Sequence, residues 1–124
     1  LNTEIQEKTR RDIQDAIDSR NGNLTYDAVQ DMKYLDMVIA ETLRKYPPAS
    51  MLSRRCEYQY QIPNSKVELP AGIRVIIPIY GLHHDPDYYP SPAIFNPERF
   101  TEENKRTRHP YAYLPFGEGP RNCI

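Results

Sequence analysis

The sequence predicts an α+β chain in which two helices lead into a small antiparallel sheet and then a long proline-rich coil. Three observations point there. Apolar residues recur at a helical period in the first third, and short alternating runs follow. Seven of the twelve prolines then fall between Pro86 and Pro120. At 124 residues the chain has room for one domain, 1–124, and not for two of ordinary size.

The first helix is expected to open at Thr3, which with Gln6 three positions on makes a capping-box pattern. Ile5, Ile13, Ala16 and Ile17 give it one narrow apolar stripe, and Asn21-Gly22 supplies a left-handed stop. Thr25 suits the cap of a short turn. A strong helix is predicted over about 31–46, where Leu35, Val38, Ile39, Thr42, Leu43 and Tyr46 repeat near the 3.6-residue period. Pro47-Pro48 ends it. The period then changes. Residues 57–62 alternate weakly, 66–69 form a second short candidate, and 73–80 is the most apolar run, reached through a Pro70-Ala71-Gly72 turn. Pro78 marks that run as an edge strand or one leaving its sheet. Two or three antiparallel strands are expected. A structureless stretch as long as the remainder needs function or a ligand to hold it.

Composition narrows the function classes. Sixteen basic against seventeen acidic side chains leave a net charge of -1, so no bulk field favours nucleic acid or anionic lipid. Hydrophobic content is 39%, which makes a thin core. No apolar run approaches the ~18 residues of a membrane span, and no signal peptide is visible. The start at Leu1 suggests an internal piece of a longer protein. Two cysteines are too few for a disulfide framework, and Cys56 suits a small buried apolar position.

Several side chains invite chemistry. Glu41 and Arg44 are surface neighbours on the second helix, roughly opposite Leu35, Ile39 and Tyr46. They form either a solvated ion pair or, if other chain covers them, a pair that needs further partners. Arg99, within Asn96-Pro97-Glu98-Arg99-Phe100, is a surface residue by default, yet can supply Glu41 with a planar bidentate contact. His83-His84-Asp85 lacks a second ligand cluster, so a zinc site is not expected and a histidine bonded to nearby backbone is. Arg54-Arg55 is a solvated pair or an anion site. Lys105, Arg106, Arg108 and His109 are a solvated loop or a patch for an acidic partner. The densest signal is Pro115-Phe116-Gly117-Glu118-Gly119-Pro120-Arg121-Asn122-Cys123-Ile124. Its glycines let backbone pass close to something bulky, and Arg121 favours the thiolate that binds metal.

Together these segments resemble the C-terminal part of a cytochrome P450. Phe116 to Cys123 matches the F-x-x-G-x-R-x-C haem-binding loop, Glu41-Thr42-Leu43-Arg44 the E-x-x-R helix motif, and Pro97-Glu98-Arg99-Phe100 the P-E-R-F segment. They occur in the family's order and the likeness covers essentially the whole chain. Lys33-Tyr34-Leu35-Asp36-Met37 and Leu82-His83-His84-Asp85-Pro86 are similar to microsomal animal members, most of all insect xenobiotic-metabolising ones.

The resemblance implies a role for each residue. Cys123 is the axial thiolate of haem iron, Phe116 packs beside the ring, and Arg121 and Arg54 pair with its propionates. Glu41, Arg44 and Arg99 form a buried scaffold triad, and Pro48, Ala49, Ser50, Met51 and Leu52 line the substrate pocket. Lys105, Arg106 and Arg108 lie toward the surface where NADPH–cytochrome P450 reductase docks. The implied reaction inserts one oxygen atom from O2 into an apolar small molecule, with NADPH as electron source, at the cytosolic face of the endoplasmic reticulum membrane. No catalytic residue is assigned within these 124 positions, because the oxygen-activating threonine helix and the membrane anchor are expected outside them. The chain alone is therefore expected neither to hold haem stably nor to turn over substrate. Two rival readings share some of these features: a haem-thiolate isomerase or dehydratase, and a non-catalytic interaction module.

Overall fold

Three helices open the fold in a computed structural model that describes residues 2–123. The expectation of an internal piece, which rests on Leu1, lies outside the described residues, as does Ile124 at the end of the cysteine motif. Helix α1 spans Thr3–Asp18 and α2 Tyr26–Asp31. Helix α3 spans Lys33–Lys45, two residues later at its start than the apolar period suggested. The capping box at Thr3 does not form. Asn2 occupies the cap without a side-chain bond and Thr3 is already helical, so Gln6 is out of register and its amide bonds Asn2 O at 3.0 Å. The stop is as read: Asn21 and Gly22 are left-handed, at φ 55° and 78°, and the Gly22 amide returns to Ile17 O. Thr25 Oγ1 accepts from the Ala28 amide and caps α2.

Helix α3 is capped from another helix. Asp12 on α1 accepts the Tyr34 and Leu35 amides through one carboxylate oxygen, both at 3.0 Å. Two of the orphan donors of α3 are thereby met, and the two helices are locked in register. The burial of α3 reverses its hydropathy. Glu41 and Arg44 are fully buried, whereas Ile39 is 49% and Tyr46 66% exposed.

Among the described residues the strands form two sheets instead of one. β1 (Leu52–Arg55) pairs antiparallel with β4 (Arg74–Ile77), Leu52 opposite Ile77 and Arg55 opposite Arg74. β2 (Tyr60–Gln61) pairs antiparallel with β3 (Glu68–Leu69). β1 was not expected as a strand because its Ser53-Arg54-Arg55 is polar. Its Leu52 and Arg54 nevertheless alternate, half-buried, with exposed Ser53 and Arg55. The apolar run 73–80 is a strand only as far as Ile77. Pro78 has no amide to extend the ladder and instead precedes helix α4 (Ile79–His83).

The proline-rich third also holds more regular structure than a coil. A 3₁₀ turn spans Pro97–Phe100, helix α5 spans Glu102–Thr107 and a second 3₁₀ turn spans Pro110–Ala112. Helix α5 has no buried residue, so no apolar period announced it. Its signals were local: a Thr101 cap on the Asn104 amide, Glu102 and Glu103 in the first turn, and Lys105 and Arg106 in the last. The core gathers Ile79, Tyr89, Phe100, Ala112 and Leu114, all buried, around Arg44 and His83.

Candidate functional site

The buried charge of α3 organises the last third of the chain. Arg44 grips Glu41 with two parallel bonds, Nε to Oε2 at 2.7 Å and Nη2 to Oε1 at 2.9 Å. Glu41 Oε1 also accepts the Asn96 amide at 2.9 Å. Arg99 reaches the same oxygen only at ion-pair distance, 3.6 Å from Nε, and that nitrogen is buried without a hydrogen-bond partner among the described residues. So Arg44, not Arg99, makes the bidentate contact. The pair is covered, not solvated, and the further partners that desolvation demands are present. Burial works against the charge of Arg99, and Glu41 offsets part of that.

The cations of this cluster also explain how a coil stays in place. Arg99 Nη2 donates to Ser91 O at 3.0 Å, Arg44 Nη2 to Pro92 O at 2.9 Å and Lys45 Nζ to Ala93 O at 2.5 Å. Three successive carbonyls are thus held by charge-assisted bonds, two of them from α3 and one from Arg99 eight residues on. Ser91 sits at φ 52°, a left-handed conformation that surrounding contacts must impose on a non-glycine residue.

A second group of bonds fixes the approach to the cysteine. Residues 112–114 are pinned one after another. Tyr89 Oη donates to Ala112 O at 3.0 Å, Tyr113 Oη donates to Ala40 O at 3.1 Å, and the Leu114 amide donates to His83 Nε2 at 2.9 Å. Burial raises the pKa of both tyrosines, so both hydroxyls stay protonated donors. His83 is fully buried, and its other nitrogen, Nδ1, meets Arg44 O at 3.1 Å. Burial lowers its pKa to about 4, so the ring is neutral at physiological pH. His84 likewise directs Nδ1 at Tyr80 O.

Beyond Leu114 the chain turns through the cysteine loop. Gly117 donates to Leu114 O at 3.2 Å, and Cys123 N donates to Phe116 O at 2.9 Å, closing the loop. Gly117 is left-handed at φ 79°, and a Cβ there would stand 3.3 Å from Leu52 and 3.9 Å from Arg54 Nη2. The loop therefore lies directly against β1, and glycine serves both the turn and the close approach. Between them is a cavity of about 500 Å³, walled by Leu52, Arg54, Leu82, Ala112, Leu114 and Gly119 among others. Phe116 is 49% exposed, and Arg121 and Cys123 are exposed.

Other expected site residues separate. Leu52 faces this cavity, while Ala49 is half-buried and Pro48, Ser50 and Met51 are exposed on the connection ahead of β1. The basic run is not one patch. Arg108 is turned inward: its guanidinium lies 4.5 Å from the Tyr89 ring centre and 5.0 Å from that of Phe100, and it donates to Arg99 O at 2.6 Å. Lys105 faces Glu102 at 3.1 Å and Asp36 at 3.8 Å. Arg106 is exposed. The partners of the cluster that sequence did not single out are Lys45, Tyr89, Tyr113 and the Asn96 amide. Each acts through a backbone group or from a distant element, which no local pattern records.

Comparison with known proteins covers the same residues. The family model described as Cytochrome P450 matches residues 1–124. The chain is similar to probable cytochrome P450 6a13 of Drosophila melanogaster, at 54% identity over all of this chain and 25% of that protein. It is 52% identical to cytochrome P450 6j1 of Blattella germanica, over all of this chain and 25% of that protein. Against cytochrome P450 9e2 of the same organism it is 49% identical, over 99% of this chain and 23% of that protein. The chain thus spans about a quarter of the length of these curated relatives.

Proposed function

The chain belongs to the cytochrome P450 family, and from that premise we propose that it forms the cysteine-loop portion of a haem-thiolate monooxygenase. The reaction is insertion of one oxygen atom from O2 into an apolar small molecule. The residues present fit the cofactor. Cysteine thiolate is an established axial ligand of haem iron, a guanidinium fork suits a propionate, and the cavity beside the loop has leucine walls. The single observation that carries the reading is the closed loop itself, with Cys123 N bonded to Phe116 O and Arg54 reaching Gly117 from β1.

When bound, haem supplies the chemistry of oxygen activation. The work of this chain is to bind and orient it. Cys123 holds the iron as thiolate, Arg54 and Arg121 take the propionates, and Phe116 packs beside the ring. Arg99, Arg44 and Lys45 hold residues 91–93, with Glu41 holding Arg44 and the Asn96 amide, and the bonds to residues 112–114 fix the height from which the loop starts. Residues 48–52 line the substrate side, with Leu52 nearest the loop. Electrons come from NADPH through a flavoprotein reductase, at the cytosolic face of the endoplasmic reticulum. Lys105 and Arg106 are the docking cations left once Arg108 is turned inward.

The test is a full-length protein carrying this sequence, reduced under carbon monoxide. A thiolate-type Soret band that Cys123→Ala abolishes is the expected result, and a band surviving the substitution overturns the ligand assignment. Turnover that requires NADPH and reductase supports oxygen insertion. Turnover without any electron donor would replace it with a rearrangement.

A further inference from the structure

His83 touches two parts of the molecule at once, the Arg44 turn of α3 and the Leu114 amide, and it does so alongside the Tyr113 bond to Ala40 O. Its contact with Arg44 is reciprocal: Arg44 Nη1 donates to His83 O at 2.7 Å while His83 Nδ1 meets Arg44 O at 3.1 Å. A carbonyl only accepts and an amide only donates, so the partners settle the tautomer. Nδ1 carries the hydrogen, and Nε2 is the acceptor for the Leu114 amide at 2.9 Å. From Leu114 the bonds continue to the cysteine, through Gly117 N to Leu114 O and Cys123 N to Phe116 O. The ring is wedged by Tyr113, stacked at 5.5 Å between centres, and by the edge of Tyr89.

We infer that His83 is a positioning residue, whose neutral imidazole transmits the placement of the Glu41–Arg44–Arg99 cluster to the loop that presents Cys123. The inference deepens the haem-thiolate reading and rests on it. Of the two ring nitrogens, Nε2 is the one that matters to the loop, since losing it leaves the Leu114 amide buried without an acceptor. Losing Nδ1 disturbs only a carbonyl of α3.

Two amide substitutions separate these effects. Glutamine reaches the Nε2 position and presents an acceptor there, whereas asparagine reaches only the Nδ1 position. In the full-length protein, His83→Gln is expected to keep the thiolate-type Soret band of the carbon monoxide complex. His83→Asn is expected to lose that band about tenfold faster on warming, the ratio for one buried donor left unmade. Hydrogen exchange over 112–116, measured on the same proteins, should rise in His83→Asn and stay near wild type in His83→Gln. Equal behaviour of the two variants overturns the inference, whether both keep the band, both lose it or neither folds. So does a greater loss in His83→Gln. The exchange readout does not depend on iron. If Cys123→Ala keeps the band, the haem reading falls while the exchange at Leu114 still decides the coupling through His83.

Discussion

A carboxylate shared by two guanidiniums is a cluster that only burial makes important. An exposed Glu41–Arg44 pair would contribute about 0.2–0.5 kcal/mol, and its loss would pass unnoticed. Here Glu41 has no exposed surface and accepts three hydrogen bonds. Glu41→Gln leaves Arg44 and Arg99 facing each other without the carboxylate, and should cost about 3–5 kcal/mol in chemical denaturation. A loss under about 1 kcal/mol, the range of exposed pairs, would contradict the burial. His83 gives a prediction in pH. Its pKa is lowered by burial to about 4 from 6.5; the bond to the Arg44 carbonyl opposes the shift, while the charges of Arg44 and His84 add to it. The groups facing it are Arg44 on α3, His84 beside it, and the Tyr89 and Tyr113 rings, with Glu41 behind Arg44. The unfolded chain therefore takes up a proton first. The stability tied to this ring is complete above about pH 6.5 and is lost as pH falls toward 4, by about 3 kcal/mol in all. Subtracting the stability profile of His83→Gln from that of the wild type isolates this slope from the carboxylates. A flat difference would refute the neutral ring.

Among the elements, α3 is the one on which the others depend, and its N-terminus belongs to α1 as much as to itself. Met32 at its cap makes no side-chain bond, so Asp12 does the capping from α1. Asp12→Ala should destabilise the chain by about 1–2 kcal/mol and unprotect the Tyr34 and Leu35 amides to hydrogen exchange, while Asp12→Asn keeps an acceptor and loses less. Unchanged exchange at both amides in Asp12→Ala would show that the cap is not formed. The same element shows where reading a helix by period succeeds and where it fails. The period located α3 nearly to its ends, because Pro47-Pro48 and the 3.6 repeat are local facts. It assigned the wrong side to the interior, because what lies against a helix is not local. Ile39 stays half open while the charged side is packed by Tyr89, Asn96 and Arg99. At α5 the failure was different: six exposed residues carry no apolar signal, and only the Thr101 cap and its charge order mark the helix.

For the whole molecule, surface is the telling quantity. The chain exposes 9260 Å², whereas a compact monomer of 14.5 kDa exposes about 6,900 Å². Leu24, Tyr26, Val29, Ile39, Tyr58 and Phe116 are among its open apolar side chains. Expressed alone, the 124-residue chain should bind hydrophobic dye, self-associate and retain haem far less tightly than a full-length protein containing it. Monomeric behaviour with tight haem binding would contradict this. The sequence by itself determined the α+β class, the two longer helices before Pro47, the stop at Asn21-Gly22 and the cysteine loop with its family. Caps, prolines, glycines and the spacing of apolar residues act within a few positions of themselves. Only the tertiary structure decided that the charged side of α3 faces inward, that Arg44 makes the bidentate contact, that Arg108 turns inward, and that His83 stands between the cluster and Leu114. Those outcomes depend on which distant backbone carbonyls and amides remain unpaired when the elements meet, and a buried polar group must find one of them wherever it lies along the chain.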